Sequence, residues 1–311
     1  MKLFLSKIFK FGLFSLSGYI IILLISAHLL PHYYLPNLNY NIGNKGHLRS
    51  RISEVNRLDS VDILILGSSH AYRGIDTRII SPLNKSTFNL GSSAQTPLQT
   101  EVMAHRFLHK LNPELIIYEV YPGNFASDGI ESTLDLVANS KLDLSLTRLA
   151  LRQHSPKTFN SIIYGLFLKT LYITDKSKEE ELIISNSTYI PGGFVEDSFR
   201  TFKFMKYDDQ YWDFNPNQFD AFQRTLTRIK DTGSECLLVY SPITSSRYES
   251  YTNQPQFDSI MNASGTYIDF NPLVELDDSL HFSDSHHLNQ NGVEIYNRKL
   301  VEVLSSIDFS E

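Results

Sequence analysis

Cysteine is nearly absent from this sequence. Cys236 is the only one among 311 residues, so no intramolecular disulfide can form. It lies in the apolar run 236–239, where a buried strand position explains it better than chemistry does. An oxidising compartment is therefore neither required nor excluded.

Long basic runs, internal repeats and low-complexity tracts are also missing. Lys and Arg number 28 against 34 Asp and Glu, which gives a net charge of −6 and a pI near 5.9. Phosphate backbones need a concentrated positive surface, so nucleic acid is not expected as a partner. With 42% hydrophobic and 20% charged residues, the composition is that of a folded protein, and we expect one main domain.

The residues from Phe11 to Leu30 carry no charge. As a helix they would be about 30 Å long, close to the hydrocarbon thickness of a bilayer. Three lysines precede them, which predicts a cytoplasmic tail at 1–10 and places everything after Leu30 outside the cytoplasmic membrane. A cleaved signal peptide is the alternative, but the stretch is long and lacks a clear small-x-small cleavage site. We predict a single uncleaved anchor at 11–30.

Apolar runs alternate with helical patterns in the rest of the chain. The β-branched run 61–66 predicts a first buried strand, and four similar runs follow at 86–90, 115–121, 235–241 and 266–270. Helical spacing predicts helices at 97–111, 218–230 and 293–304. This alternation predicts an α/β fold, a flavodoxin-like three-layer sandwich with about five parallel strands.

Two segments depart from this alternation. Residues 31–58 are rich in Asn and Gly and are predicted to be a polar stalk leading to a domain at 59–311. Residues from about 126 to 215 contain Leu-, Tyr- and Phe-rich segments and are predicted to be a helical insertion packed over the sheet. That insertion is either a lid or substrate platform, or plain core.

Candidate catalytic residues follow two of the predicted strands. Ser69 stands where the first strand ends, and ligands of open parallel sheets bind at the carboxyl ends of the strands. Asp284 and His287 stand near the C-terminus, after the fifth strand. A serine hydroxyl needs an imidazole to take its proton and a carboxylate to hold that imidazole. The sequence supplies all three groups.

The motifs that contain these residues resemble the blocks of the SGNH/GDSL hydrolase superfamily. Gly-x-Ser stands at 67–69, Asn-x-Gly at 89–91 and Asp-x-x-His-Leu-Asn-x-x-Gly at 284–292. The chain is more narrowly similar to the membrane-anchored bacterial members that handle acyl groups on cell-envelope polymers. The resemblance covers the part after the anchor except the insertion, about two-thirds of the chain.

The resemblance implies a role for each of these positions. Ser69 is the expected nucleophile, His287 the general base and acid, and Asp284 the orienting carboxylate. The backbone N–H groups of Ser69 and Gly91 are the expected oxyanion-hole donors, which matter because negative charge appears on the substrate oxygen in the tetrahedral state. No cofactor is implied.

The third family block departs from its pattern. Gly-x-Asn-Asp is expected after the third strand, but this sequence has 119–124 as Glu-Val-Tyr-Pro-Gly-Asn. The expected asparagine falls on Gly123, and Asn124 stands one residue late. Either Asn124 donates its side-chain amide to the oxyanion hole, or the hole lacks a side-chain donor.

Several residues compete for these roles. Ser69 alone could be a helix N-cap, and Ser92 or Ser93 could be a rival nucleophile, although the strand before them is short. His286 competes with His287 as the base, and the Leu-Asn-x-x-Gly that follows favours His287. His70 and His281 raise the question of a metal, but no further ligands stand at metal spacing, so we expect no metal site.

These observations predict a serine esterase or O-acyltransferase that acts on the acyl groups of a cell-envelope glycan or another acylated substrate. The resemblance implies that a transferase of this kind takes its acyl group from a separate multispan membrane protein, and because one span is predicted here, that partner would have to be another chain. The alternative is a non-catalytic protein of the same fold that binds glycan or an acyltransferase partner.

Overall fold

The computed structural model describes residues 1–43, 46–80, 83–171 and 180–306. Contacts divide the chain into two compact units, residues 1–42 with 133–178, and residues 43–132 with 179–311. The helices are α1 (Lys2–Leu29), α2 (Leu48–Val55), α3 (Ser69–Gly74), α4 (Thr77–Ile80), α5 (Pro97–Leu111), α6 (Pro122–Phe125), α7 (Ile130–Asn139), α8 (Leu144–Gln153), α9 (Pro156–Thr170), α10 (Pro216–Asp231), α11 (Ser245–Tyr248), α12 (Gln254–Ser264) and α13 (Gln290–Ser306). The strands are β1 (Ile63–Leu66), β2 (Thr87–Asn89), β3 (Leu115–Glu119), β4 (Ile183–Ile184), β5 (Ser187–Ile190), β6 (Phe194–Asp197), β7 (Glu235–Tyr240) and β8 (Thr266–Asp269).

The larger unit is built on a five-stranded sheet in the order β2-β1-β3-β7-β8, and every pair in it is parallel. Counted within this sheet the order is 2-1-3-4-5, the flavodoxin-like arrangement. The prediction of an α/β fold with five parallel strands is confirmed. In such a sheet the carboxyl ends of all strands lie along one edge, so the loops after β1, β3 and β8 can meet there.

Helices cover both faces of this sheet, which explains why its central strands are apolar without alternation. All four residues of β1 and all five of β3 are buried. One face contributes Ile65 and Ile117 to a core that also contains Tyr296 and Leu300 of α13. On the other face the Tyr118 ring lies 5.5 Å from that of Phe222 in α10, and α10 packs against α5.

The second half of the predicted helical insertion is not helical. Residues 130–170 form α7, α8 and α9, but β4, β5 and β6 form a three-stranded antiparallel sheet. The turn between β5 and β6 contains Gly192 and Gly193 at φ 95° and 90°, a conformation that favours glycine and reverses the chain. A Cβ at Gly193 would lie 2.0 Å from the backbone oxygen of Asn89, so glycine allows this turn to reach the edge strand β2.

Part of the predicted stalk also belongs to the folded domain. Helix α2 lies within 31–58, and its Val55 and Arg51 side chains are fully buried. The Arg51 guanidinium donates to the backbone oxygens of Gly193 at 2.9 Å and Gly46 at 3.1 Å. Hydrogen bonds to backbone oxygens are what allow a charged side chain to be buried, and the polar composition of this segment concealed them.

The smaller unit contains the N-terminal helix. Leu23 and Ala27 of α1 form a small core with Leu38, and Ile163 and Tyr164 of α9 pack against it. Within the described residues α1 is the one helix long and apolar enough to cross a membrane, with a mean hydropathy of 2.1 over its best 18-residue window. It is compatible with a single-pass anchor or a signal sequence.

Candidate active site

The predicted nucleophile stands in a tight turn between β1 and α3. Gly67 has φ 142°, and a Cβ there would lie 2.6 Å from Cβ of Glu119, so the turn requires glycine. Ser68 is the N-cap of α3, and its hydroxyl oxygen accepts from the backbone N–H of His70 at 3.2 Å. Ser69 is therefore the first residue of the helix, and the capping role falls on its neighbour.

A buried acid lies beneath this turn. Oε2 of Glu119 accepts from the backbone N–H of Ser68 at 3.0 Å and from its hydroxyl at 2.8 Å. The Ser68 hydroxyl also lies 3.0 Å from Nδ1 of His70. Burial raises the pKa of Glu119 to about 7, although the hydrogen bonds from Ser68 act in the opposite direction. Glu119 thus holds the backbone that presents Ser69.

His287 connects Ser69, the predicted nucleophile, to Asp284 of the C-terminal loop. Its Nε2 lies 2.8 Å from the Ser69 hydroxyl, and its Nδ1 lies 2.8 Å from Oδ2 of Asp284. A carboxylate can only accept, so Nδ1 carries the proton and Nε2 is left to accept from Ser69. Loops 218 positions apart in the sequence are thereby joined in a serine–histidine–aspartate chain.

The residues after His287 hold this loop in place. The Asn289 side-chain amide donates to the backbone oxygens of Leu280 at 2.8 Å and Arg200 at 3.0 Å. Its oxygen accepts from the Gly292 N–H at 3.2 Å. A Cβ at Gly292 would lie 2.2 Å from the His281 oxygen. The Leu-Asn-x-x-Gly pattern therefore holds the loop of Asp284 and His287 against the start of α13.

The charges around the loop favour an ionised aspartate and neutral neighbouring imidazoles. Burial acts to raise the pKa of Asp284, but the hydrogen bond from His287 and the nearby imidazoles outweigh it, so the pKa lies below its usual range. Burial lowers the pKa of His286 to about 4 and that of His70 well below its ordinary value. An ionised Asp284 can stabilise an imidazolium on His287 during proton transfer.

The predicted oxyanion donors are only partly in place. The Ser69 N–H is at the first position of α3 and has no acceptor among the described residues, so it is available. The Gly91 N–H instead donates to Oδ1 of Asn89 at 3.1 Å. Asn89 is held in that orientation because its amide donates to the backbone oxygens of Ala71 and Ile75. A role for Gly91 stays a prediction that requires this hydrogen bond to be exchanged.

Asn124 lies in the short helix α6, at the third family block, where this sequence departs from the family pattern. Its backbone N–H donates to the Tyr121 oxygen at 3.0 Å, and its half-buried side chain makes no hydrogen bond to a described residue. The block borders the site, because the Tyr121 ring stacks on His70 with centroids 4.2 Å apart. Trp212 occupies the space beside Gly123, where a Cβ would come within 3.0 Å of its ring. Donation by Asn124 stays a prediction.

The competing residues have other partners. The Ser92 hydroxyl is buried and donates to Gln95 at 2.7 Å, and the Ser93 hydroxyl lies 3.0 Å from that of Tyr72. His286 contacts the Ser285 hydroxyl at 2.9 Å, and its Nδ1 is 3.7 Å from Asp284. The distances to Asp284 therefore favour His287 over His286 as the predicted base.

A cation could approach Asp284, His286 and His287, whose possible ligand atoms lie within 4.8 Å of one another. Both ring nitrogens of His287 already face Asp284 and Ser69. A metal at this position would have to displace the serine–histidine–aspartate chain.

Sequence reasoning did not find Ser68 and Glu119. Glu119 belongs to the third family block, where the sequence departs from the pattern, but an acid at the end of the apolar run 115–118 is also an unusual core residue. This unusual acid is the signal by which the sequence could have indicated a functional or structural role for Glu119. Its partner could not be identified, because Ser68 lies 51 positions earlier and meets it only through the pairing of β1 with β3.

Comparisons with known proteins give weak likenesses. No family model and no curated protein matches the chain. A GDSL-like lipase from Bacteroides thetaiotaomicron is 10% identical with a TM-score of 0.42, over 84% of this chain and 100% of that one. A protein assigned as an acylhydrolase from Bacteroides fragilis is 9% identical with a TM-score of 0.41, over 84% of this chain and 98% of that one. A protein assigned as a lipolytic protein of the G-D-S-L family from Desulfitobacterium hafniense is 9% identical with a TM-score of 0.38, over 78% of this chain and 98% of that one. Likeness of this degree does not identify an activity.

Proposed function

We propose that this chain is a membrane-anchored serine hydrolase of the SGNH/GDSL type, an esterase or O-acyltransferase that acts on acyl groups of a cell-envelope glycan. The observation that carries the proposal is the pair of 2.8 Å contacts that link Ser69 to His287 and His287 to Asp284. This arrangement matches the requirements of a serine nucleophile in atom, distance and tautomer.

The proposed reaction begins when Oγ of Ser69 attacks the carbonyl carbon of an ester and its proton passes to Nε2 of His287. Asp284 stabilises the imidazolium, and the Ser69 N–H donates to the oxyanion. The tetrahedral intermediate then expels the alcohol, which takes the proton from His287, and an acyl-serine remains. Water releases the acyl group in an esterase, whereas a sugar hydroxyl accepts it in a transferase.

The proposed location is the outer face of the cytoplasmic membrane, with the N-terminus inside. Packing of Leu23 and Ala27 against the α9 region supports retention of α1, because cleavage after it would expose Leu38 and Tyr164. A retained anchor predicts that the protein in membranes has the mass of the full chain and resists extraction at alkaline pH. A mature form shortened by about 30 residues would contradict it.

Covalent labelling tests the proposed nucleophile. We expect the full chain in a mild detergent to react with a fluorophosphonate probe, and Ser69→Ala to abolish the labelling. Ser93→Ala is the matched control, since the hydroxyl of this serine contacts that of Tyr72 and has no imidazole partner among the residues that the structure describes. Labelling that persists in Ser69→Ala would refute the assignment.

Esterase and transferase activities are separated by the acceptor. We expect a transferase to pass the acyl group of a chromogenic ester to an added sugar faster than to water, and an esterase to ignore the sugar. A transferase with one span would take its natural acyl group from a multispan membrane partner.

A second candidate is a non-catalytic protein that binds glycan or an acyltransferase partner. It is favoured by the Gly91 N–H, which is engaged with Asn89 and leaves the oxyanion hole incomplete. Complete absence of Ser69-dependent labelling in a folded protein would favour this candidate.

A further inference from the structure

Arg247 lies beside the catalytic loop. It belongs to α11, and the residue before that helix, Thr244, is tied to the loop by two hydrogen bonds. The Thr244 hydroxyl and N–H both donate to the Ser285 oxygen, at 2.7 and 3.3 Å. Ser285 is two positions before His287, so the start of the helix that carries Arg247 is tied to the loop of the catalytic imidazole.

The Arg247 guanidinium is held by aromatic rings in place of acids. Its central carbon lies 4.8 Å from the ring centroid of Tyr207 and 5.2 Å from that of Tyr251. Among the residues that the structure describes, no carboxylate lies within 4.0 Å of it, and its Nε is buried with no hydrogen-bond partner. Arg73, by contrast, pairs with Asp197 at 3.0 Å.

The charge of Arg247 affects the pKa of His286, which stands next to the proposed catalytic base. Burial is the main cause of the lowered pKa of His286. The neighbouring His287 also lowers this pKa and Asp284 raises it, while Arg247 and Arg73 lower it further. Arg73 itself lines the small pocket that contains Ser69 and His287. A cation without a bound acid therefore acts on a residue that stands next to the catalytic base.

A series of contacting aromatic rings runs from Arg247 to His70, the residue after Ser69. Tyr251 stacks on Trp212 with centroids 3.8 Å apart, and Trp212 meets Tyr121 edge-on at 5.6 Å. Tyr121 in turn stacks on His70 at 4.2 Å. Aromatic side chains supply rigid contact area with little loss of conformational entropy, and Trp212 is only partly buried.

We propose that Arg247, with Tyr251 and Trp212, forms a subsite for a carboxylate carried by the acylated substrate, so that the preferred substrate is an acidic sugar ester. The inference rests on the proposed function for its catalytic part. A guanidinium matches a carboxylate in shape and can bind it through two parallel hydrogen bonds. The half-buried position of Arg247 leaves it accessible to such a group.

Paired esters test the subsite in the full chain. We would measure kcat/KM for 4-acetoxybenzoate, which is anionic, and for 4-acetoxybenzamide, which is neutral, in the wild type, Arg247→Gln and Arg247→Lys. We expect the anionic-to-neutral ratio to fall about tenfold in Arg247→Gln, as for one lost charge-assisted contact, and less in Arg247→Lys. Arg298→Gln, an exposed arginine on α13 beside Glu294, is the control that should keep the wild-type ratio.

The outcomes separate the subsite from the catalytic proposal. An unchanged ratio in Arg247→Gln, or an equal fall for both esters, overturns the subsite. If the wild type turns over neither ester, the catalytic proposal fails and the subsite is judged on binding alone. Trp212 is the only tryptophan, so its fluorescence would then report titration with glucuronate and with glucose. A change specific to glucuronate and lost in Arg247→Gln supports the subsite, and equal responses overturn it.

Discussion

Folding raises the affinity of the Glu119 carboxylate for a proton. Replacing Glu119 by glutamine should therefore alter how the free energy of unfolding varies with pH. The side chain is 2% exposed, and burial raises its pKa from 4.5 to about 7. The folded state therefore holds this proton more tightly than the unfolded state does. The free energy of unfolding contributed by this group is highest below pH 4.5, falls as the pH rises to about 7, and is constant above that.

The magnitude follows from the shift. Each pKa unit corresponds to about 1.4 kcal/mol, so the full effect is roughly 3 kcal/mol, of which about 2.5 kcal/mol falls between pH 5 and 8. Glutamine keeps an oxygen that can accept from Ser68 and has no proton to lose. We expect Glu119→Gln to gain stability relative to the wild type by about this amount on going from pH 5 to pH 8.

Urea unfolding of the full chain in a mild detergent measures this difference. The fluorescence of Trp212 would be followed at pH 5 and pH 8 in both proteins. Glu302→Gln is the control, because this exposed carboxylate pairs with Lys299 on the surface of α13 and should change the pH dependence by less than about 0.5 kcal/mol. The same pH dependence in Glu119→Gln and the wild type would refute the buried-acid reasoning.

Two further substitutions test the site. Asp284→Asn should lower kcat/KM for a chromogenic ester about a thousandfold, because the amide no longer holds His287 in the required tautomer or stabilises its positive form; a loss below tenfold in steady-state assays would contradict this role. Gly67→Ala should lower the free energy of unfolding by about 3 kcal/mol, since the new Cβ would lie 2.6 Å from Cβ of Glu119 at a φ of 142°. Gly233→Ala is the matched control, with a positive φ but nothing within 4 Å, and should cost about 1 kcal/mol in the same denaturation assay; equal costs would show that the contact with Glu119 is unimportant.

The strands of the five-stranded sheet and the helices α5, α10 and α13 could be predicted because their signals are local. The run 61–66 is apolar and β-branched, and 97–111 has helical periodicity with Pro97 at its start. The segment from 183 to 197 was misjudged as helical, since its identity depends on a glycine turn packed against the edge strand β2. Residues 48–55 were misjudged as stalk, since burial of Arg51 depends in part on the backbone oxygen of Gly193, which a turn 142 positions away supplies.

The amino-acid sequence by itself determined which chemical groups the site has and that each follows a strand, because strand ends and the Asp-x-x-His spacing are read from near neighbours. Tertiary structure alone decided that Ser69 lies 2.8 Å from His287, that Glu119 supports the residue before Ser69, and that Arg247 stands beside the loop of Asp284 and His287 with no carboxylate within 4.0 Å among the described residues. These contacts depend on strand order and on loops meeting at one sheet edge. Local sequence patterns cannot predict such contacts, because the residues that make them are far apart along the chain.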